Sequence, residues 1–468
     1  MIAEPTAPKA FLAARNDGLG ERLKAMLNAL VLSEVFDLPF RFQWRLNATL
    51  RNQNHAIESR LLTFGTAFQE ACHVQKISPG EYDILTPHVY KTRDDLLAQM
   101  DASRLGLLVN QEDLNRLVDL TDLGDLTPYY RRAFERIEFS PALEAVMNQA
   151  RNVPLPDHAV AIHLRAGDII YGDFRTNSAV SHKALCYPVV KHIITTLKAA
   201  GKYPLIFGQD MDTCRLLAKK YDLKLACDFI NADGSNRLHD AMAEIILMSR
   251  CDEIYAGVSG FSKLASMIGG KDLLTPLSSV DDAQLIDIIA NDSDIDDPGS
   301  GLSDLQRAFS FYTMAFIGIG TADRNTMIAA VDKALSYDRV NAFYSLLKAR
   351  LQTTNHDPDA AEVTLKDAIR IAARQDGDFQ QTLLAIVLRR AHANKREVLK
   401  MNIRGYLNIL PKNVTPDRPY TAAMAALAAL AAGHPDVARD CAAQIRLRRD
   451  TVLKKFLQKL DLLPAKTA

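Results

Sequence analysis

His158-Ala159-Val160-Ala161-Ile162-His163-Leu164-Arg165-Ala166-Gly167-Asp168 is the most informative run in this 468-residue chain. Its first seven residues form an apolar run that predicts a strand, and the strand ends in polar groups. Ligands of open α/β sheets bind outside the carboxyl ends of strands, where Arg165 and Asp168 fall. His163 and Arg165 are two apart, so they point to one side of the strand. A guanidinium is permanently charged and can bond two oxygens at once, which suits a diphosphate. The same letters also fit a strand-end Arg165–Asp168 salt bridge beside a core histidine.

Working downstream, the pattern predicts a helix over Pro188–Ala200, a strand over Tyr203–Phe207, a helix over Asp212–Tyr221 and a strand over Lys224–Phe229. A helix over Leu238–Ser249 and a strand over Glu253–Gly257 then lead into Ser259-Gly260-Phe261-Ser262, which opens another helix. Upstream, Phe11–Ala14 reads as a strand, Asn16 to Gly20 as a turn, and Leu23, Met26, Leu27, Leu30 and Val31 recur at helical spacing. Phe40–Trp44 reads as the next strand, with helices following to about residue 150. The Pro-bearing stretch Arg151–Asp157 reads as a linker. Alternation of this kind predicts an α/β fold built of βαβ units with parallel sheets. The division expected is an N-terminal Rossmann-like domain over 9–150, a second over 157–290, and a helical domain over 304–460.

The acidic stretch Asn291–Ser303 marks the last boundary and predicts a separable C-terminal region. Within that region Val331-Asp332-Lys333-Ala334-Leu335 echoes Leu365-Lys366-Asp367-Ala368-Ile369. Ala334 and Ala368 lie one tetratricopeptide period, about 34 residues, apart. Degenerate tetratricopeptide-like hairpins are therefore expected, with a groove for a protein partner.

Two glycine-bearing helix starts complete the candidate site. Gly18-Leu19-Gly20-Glu21-Arg22 offers close backbone approach to a phosphate, a favourable helix dipole, and the charge of Arg22, although a plain strand-to-helix turn reads the same way. Ser259-Gly260-Phe261-Ser262 offers hydroxyls and free N–H groups, although a plain N-cap explains the serines equally well.

Composition narrows the classes. Lys+Arg and Asp+Glu are equal at 56 each, so no global basic field points to nucleic acid. The six cysteines form no Cys-x-x-Cys pair, and no zinc-type spacing occurs. The N-terminus lacks the order of a signal peptide, and no apolar run reaches membrane-spanning length. A cytoplasmic protein with reduced thiols, no metal and no cofactor is expected.

Three blocks resemble the fucosyltransferases that carry a His-x-Arg motif. Gly18 to Leu23, continuing through Phe42-Gln43-Trp44-Arg45, resembles the opening of the rhizobial nodulation enzymes, which suggests a bacterial source. His163-x-Arg165-x-Gly167-Asp168 is similar to the motif shared by the α1,2-, α1,6- and protein O-fucosyltransferases. Leu247 to Asp252, running on to Phe261-Ser262, resembles their third block. The resemblance covers residues 10 to about 275. It implies a GT-B fold, GDP-fucose as donor, inversion at the anomeric carbon and no metal, with a glycan or protein hydroxyl as acceptor. It implies that Arg165 binds the β-phosphate, that His163 lies near the base, and that Glu244 reads guanine where the α1,6 enzymes carry an aspartate. It implies that Ser259, Gly260, Phe261 and Ser262 hold phosphates or ribose, that Asp168 orients the motif, and that Asp173 stands in the place of the proposed base. Ala166 replaces a second arginine of the α1,6 enzymes, and Lys263-Leu264 replace aromatics of the α1,2 enzymes. Another donor such as GDP-mannose, or a non-catalytic scaffold that senses nucleotide sugars, fits the same residues.

Overall fold

The structure is a computed structural model that describes residues 8–46, 56–86, 89–172, 175, 181–230, 236–319, 321–374, 411–431, 433–446 and 450–463. In chain order, β1 (Ala10–Arg15), α1 (Leu19–Phe36), β2 (Phe40–Trp44), β3 (Asp83–Ile84), β4 (Gly106–Val109) and α2 (Pro141–Asn152) come first. There follow β5 (Ala159–Leu164), α3 (Tyr187–Ala199), β6 (Tyr203–Gly208), α4 (Met211–Tyr221), α5 (Arg237–Ser249), β7 (Glu253–Ala256), α6 (Gly260–Gly269) and β8 (Asp272–Leu274). The long helices of the last third include α7 (Asp304–Ile317), α8 (Arg324–Tyr337), α9 (Ala342–Thr354) and α10 (Pro358–Arg374).

The chain packs as two compact units. One comprises residues 1–163, 197–207 and 222–274; the other comprises 164–196, 208–221 and 275–468.

Among the described residues the first unit is mixed α/β with two four-stranded sheets, ordered β2-β1-β4-β3 and β6-β5-β7-β8. In the first sheet β1 runs parallel to both neighbours, with Phe11 opposite Phe40 and Leu107. In the second, β7 runs parallel to β5 and β8, with Ala161 opposite Ile254 and Ile254 opposite Leu273. Strands buried on both faces must be apolar throughout, and β5 is buried at all six positions. One hydrophobic cluster joins the two sheets, running from Phe11, Leu27 and Phe42 through Met147 to Ile254 and Leu264.

Two expectations are corrected here. β4 falls in the stretch expected to be helical, yet it pairs with both β1 and β3. The strand expected over Lys224–Phe229 is reduced to a single bridge between Leu225 and Ile206, followed by a helical turn, Cys227–Ile230. The Asp228 carboxylate accepts the Leu225 N–H at 2.8 Å, a local side-chain bond that competes with the sheet ladder.

Among the described residues the second unit is mostly helical, with α7 packed on α8, α8 on α9 and α9 on α10. The part of the expected repeat region between 375 and 410 lies outside the described residues. The acidic stretch Asn291–Ser303 is firmly attached. Asp294 accepts from the Tyr187 hydroxyl at 3.0 Å and pairs with Lys191 at 2.7 Å and with Lys220. Burial opposes ionisation of Asp294, but the bonds from Lys191, Lys220 and Tyr187 outweigh it and hold the carboxyl at about 2. The buried Arg307 guanidinium donates to the carbonyls of Leu302, Asp294, Ile295 and Asp297 and to the Ser300 hydroxyl. Among the described residues, no helix is long and apolar enough to cross a membrane.

Candidate functional site

Both glycine-bearing helix starts belong to the first unit, and they meet. α1 begins directly after β1, and α6 directly after β7. A Cβ on Gly20 would stand 2.6 Å from the carbonyl carbon and oxygen of Gly260 and 2.8 Å from the Phe261 nitrogen. Only glycine allows the two backbones to come so near. A Cβ on Gly260 would in turn collide with the Glu21 carboxylate. Two positive helix ends therefore lie side by side, which is an electrostatic arrangement suited to an anion.

The charges around this joint are mixed. Lys24 pairs with Glu21 at 3.1 Å, and Lys263 pairs with Asp113, which also lies 3.9 Å from Arg116. Three cations thus face two carboxylates. Burial lowers the Lys263 ammonium below its usual range, with the Asp113 charge opposing.

His163, near the end of β5, is 8% exposed and stacks on Phe261 with ring centroids 5.2 Å apart and an interplanar angle of 28°. The structure thus brings together Gly20, Gly260, Phe261 and His163, drawn from the ends of three strands. The two serines turn inward. Ser259 Oγ accepts the Ser262 N–H at 3.2 Å, and the two hydroxyls lie 3.1 Å apart, both buried. The Ser259 hydroxyl caps α6 at the Ser262 N–H, so the Gly260 and Phe261 N–H groups of its first turn are the ones helix geometry leaves open to a ligand.

Arg22 is 2% exposed. Its Nε donates to the Asp17 carbonyl at 2.7 Å and its Nη1 to the Arg45 carbonyl at 2.8 Å, while the guanidinium lies 5.0 Å from the Trp44 ring centroid. Burial pulls it down to about 10, with Asp17 opposing and Arg15 adding to the shift. Arg22 is therefore a clamp that ties the Gly18 turn to the end of β2. Its Nη2 is buried without a partner among the described residues.

Glu244, on α5, is partly buried and forms no hydrogen bond among the described residues. Burial pushes its carboxyl up to about 8, and the Asp240 charge one turn earlier adds to the shift. At neutral pH this acid is therefore mostly protonated. A base edge offering two N–H donors would draw it into its ionised form.

Arg165 and Asp168 belong to the second unit, because the boundary crosses the chain between His163 and Leu164. The two make the strand-end ion pair that the sequence allowed. Arg165 Nη2 lies 2.8 Å from Asp168 Oδ2, and Nε lies 3.3 Å from Oδ1. Both side chains keep about a quarter of their surface open, at 26% and 23%. A pair this accessible is worth little to stability and leaves the guanidinium free to exchange Asp168 for a ligand. Asp173 lies outside the described residues.

No protein-family model matches the chain, and no curated protein does. Three solved structures illustrate the similarities found. NodZ α-1,6-fucosyltransferase soaked with GDP-fucose is 12% identical, with a TM-score of 0.33 over 56% of this chain and 93% of that one. Fucosyltransferase NodZ from Bradyrhizobium is 11% identical, with a TM-score of 0.32 over 56% and 93%. POFUT1 in complex with GDP is 12% identical, with a TM-score of 0.30 over 57% and 97%. Similarity at this level assigns no role to any residue of this chain.

Proposed function

We propose that the protein is a glycosyltransferase that takes a GDP-activated sugar, with fucose the favoured one, and passes it to a hydroxyl of a glycan or protein. In this reading it is of GT-B type, inverts the anomeric carbon and works without a metal. The observation that carries it is the backbone contact between Gly20 and Gly260, which sets two helix N-termini side by side next to the His163–Phe261 stack. Two positive helix ends suit a diphosphate, and a flat aromatic pair suits a base or sugar.

Each residue then has a task. Arg165, released from Asp168, binds the β-phosphate and stabilises the charge that grows on departing GDP. Its two-pronged geometry fits two oxygens, and removing a preorganised donor of this kind costs about 10²–10³ in rate. Glu244, once ionised, accepts the ring N–H and amino group of guanine, a pairing that adenine and uracil cannot offer. Asp173 is the candidate base for the acceptor hydroxyl, on the sequence resemblance alone. The helices after residue 304 are read as tetratricopeptide-like hairpins that bring a protein partner or the acceptor.

Calorimetric titration with GDP, ADP and UDP, followed by GDP-fucose and GDP-mannose, tests the reading. Metal-free binding of GDP over ADP and UDP is expected. Equal affinity for the three nucleotides would remove the guanine assignment, and a preference for GDP-mannose would change the sugar.

A further inference from the structure

The turn that carries Arg165 is gripped from the helical end of the chain. After Arg165 the backbone makes one wide π-type turn, Gly167–Tyr171, a conformation that is rare and recurs at functional sites. Asp168, partner of Arg165, lies in this turn, and Tyr171 closes it. The Tyr171 hydroxyl donates to Asp210 Oδ2 at 2.8 Å and lies 2.9 Å from the Ser303 hydroxyl. Gln306 Nε2 donates to the same Asp210 oxygen at 2.7 Å, and the Thr213 N–H reaches Oδ1 at 3.2 Å. Asp210 is 9% exposed and Gln306 2%, so this junction is shielded from water. Ser303 is the N-cap of α7, and Gln306 sits in its first turn. Four residues beyond Tyr171, Arg175 lies 3.3 Å from Asp338, and Asn341 reaches the Arg175 carbonyl at 3.5 Å. Asp338 and Asn341 flank the junction between α8 and α9.

We propose that α7 positions the anion-binding arginine: Gln306 and Ser303, through Asp210 and Tyr171, hold the turn in which Asp168 orients Arg165. This rests on the GDP reading above. These four are positioning residues, since none is assigned a contact with the donor. The helical region is then part of the transfer machinery rather than a detachable partner module. Its first helix sets how the guanidinium meets the phosphates.

The test uses the full chain with Tyr171→Phe, which removes only the hydroxyl, and Gln306→Leu, which keeps the side-chain volume. Hydrogen exchange across residues 165–172 reads the grip itself. Calorimetry with GDP and with guanosine, which carries no phosphate, separates positioning from general damage. Faster exchange in the turn is expected, with GDP weakened about tenfold, the effect of one lost hydrogen bond at a charged group, and guanosine unchanged. Unchanged exchange would overturn the proposal. So would a loosened turn that left GDP affinity intact, or equal losses for GDP and guanosine in both variants. Failure of the unaltered protein to bind GDP is a different result, and it would overturn the functional reading itself.

Discussion

Arg22 and Arg165 look alike in the sequence, each just beyond a glycine turn or a strand end and each a natural phosphate ligand. The structure gives them opposite situations. Arg22 is buried, stacked on Trp44 and committed to the carbonyls of Asp17 and Arg45. Arg165 is a quarter exposed and, among the described residues, is held by Asp168, a carboxylate that a phosphate can replace. A guanidinium already bonded to backbone carbonyls cannot turn to a ligand without leaving them unsatisfied. One in an exposed ion pair can exchange partners at little cost. Residue type proposes a ligand; the fixed acceptors around it decide whether it is available.

The sharpest contrast is kinetic. Arg165→Ala should lower turnover about 10²–10³-fold with a GDP-sugar donor, as loss of a preorganised charge on the leaving group does. Its urea midpoint should stay close to that of the unaltered protein, because an ion pair that reaches solvent contributes only about 0–1 kcal/mol. A large fall in stability with turnover preserved would put Arg165 in the class assigned to Arg22.

Arg22→Ala should do the reverse. It removes two hydrogen bonds and the Trp44 contact from a closed site, leaving the Asp17 and Arg45 carbonyls bare. A loss of about 2–4 kcal/mol in urea unfolding is expected. GDP affinity of the remaining folded protein should change far less than in Arg165→Ala. An Arg22→Ala protein of full stability that no longer bound GDP would return Arg22 to the ligand.

Glu244 extends the contrast to an acid. Its folded value, about 8, lies above the ordinary carboxyl value of 4.5, so the folded chain holds a proton that the unfolded chain releases between those limits. Stability is therefore full below pH 4.5 and declines as pH rises towards 8, by up to about 1.4 kcal/mol per unit. Glu244→Gln should remove this slope, and its stability gain should be greater at pH 8 than at pH 5. GDP, if read by the ionised acid, should bind more tightly as pH rises towards 8, with a proton released on binding. Parallel pH profiles for the two proteins would show that Glu244 is neither perturbed nor used.

Much of this was legible in the sequence, and the failures have identifiable causes. β1, β5, β6 and β7 are legible as short, mostly apolar runs bounded by turns, and β2 as an alternation in which Phe40, Phe42 and Trp44 share one face. β4 escaped because it starts at Gly106, a residue that strands disfavour, in a stretch otherwise rich in helical sequence. The Lys224–Phe229 expectation failed because Asp228 diverts the backbone locally. Both glycine turns were legible as helix starts, but their contact was not, since Gly20 and Gly260 are far apart in the chain. The commitment of Arg22 was hidden for the same reason: Trp44 and Arg45 lie on another strand end. The acidic stretch Asn291–Ser303 read as a boundary from composition alone. Its attachment through Asp294 and Arg307 bears on the expected separability, for a chain ending at Asp296 would lose Arg307, Ser303 and Gln306 together.

The central claim is that a partly exposed arginine after β5 meets a guanine nucleotide diphosphate. Calorimetric titration of GDP into the unaltered protein and into Arg165→Ala, without metal and at low salt, tests it most directly. Binding by the unaltered protein is expected, with at least tenfold weaker binding by the variant at equal stability, the least that loss of a charge-assisted bond of about 1.5–3 kcal/mol would give. Equal affinity of the two proteins for GDP would contradict it.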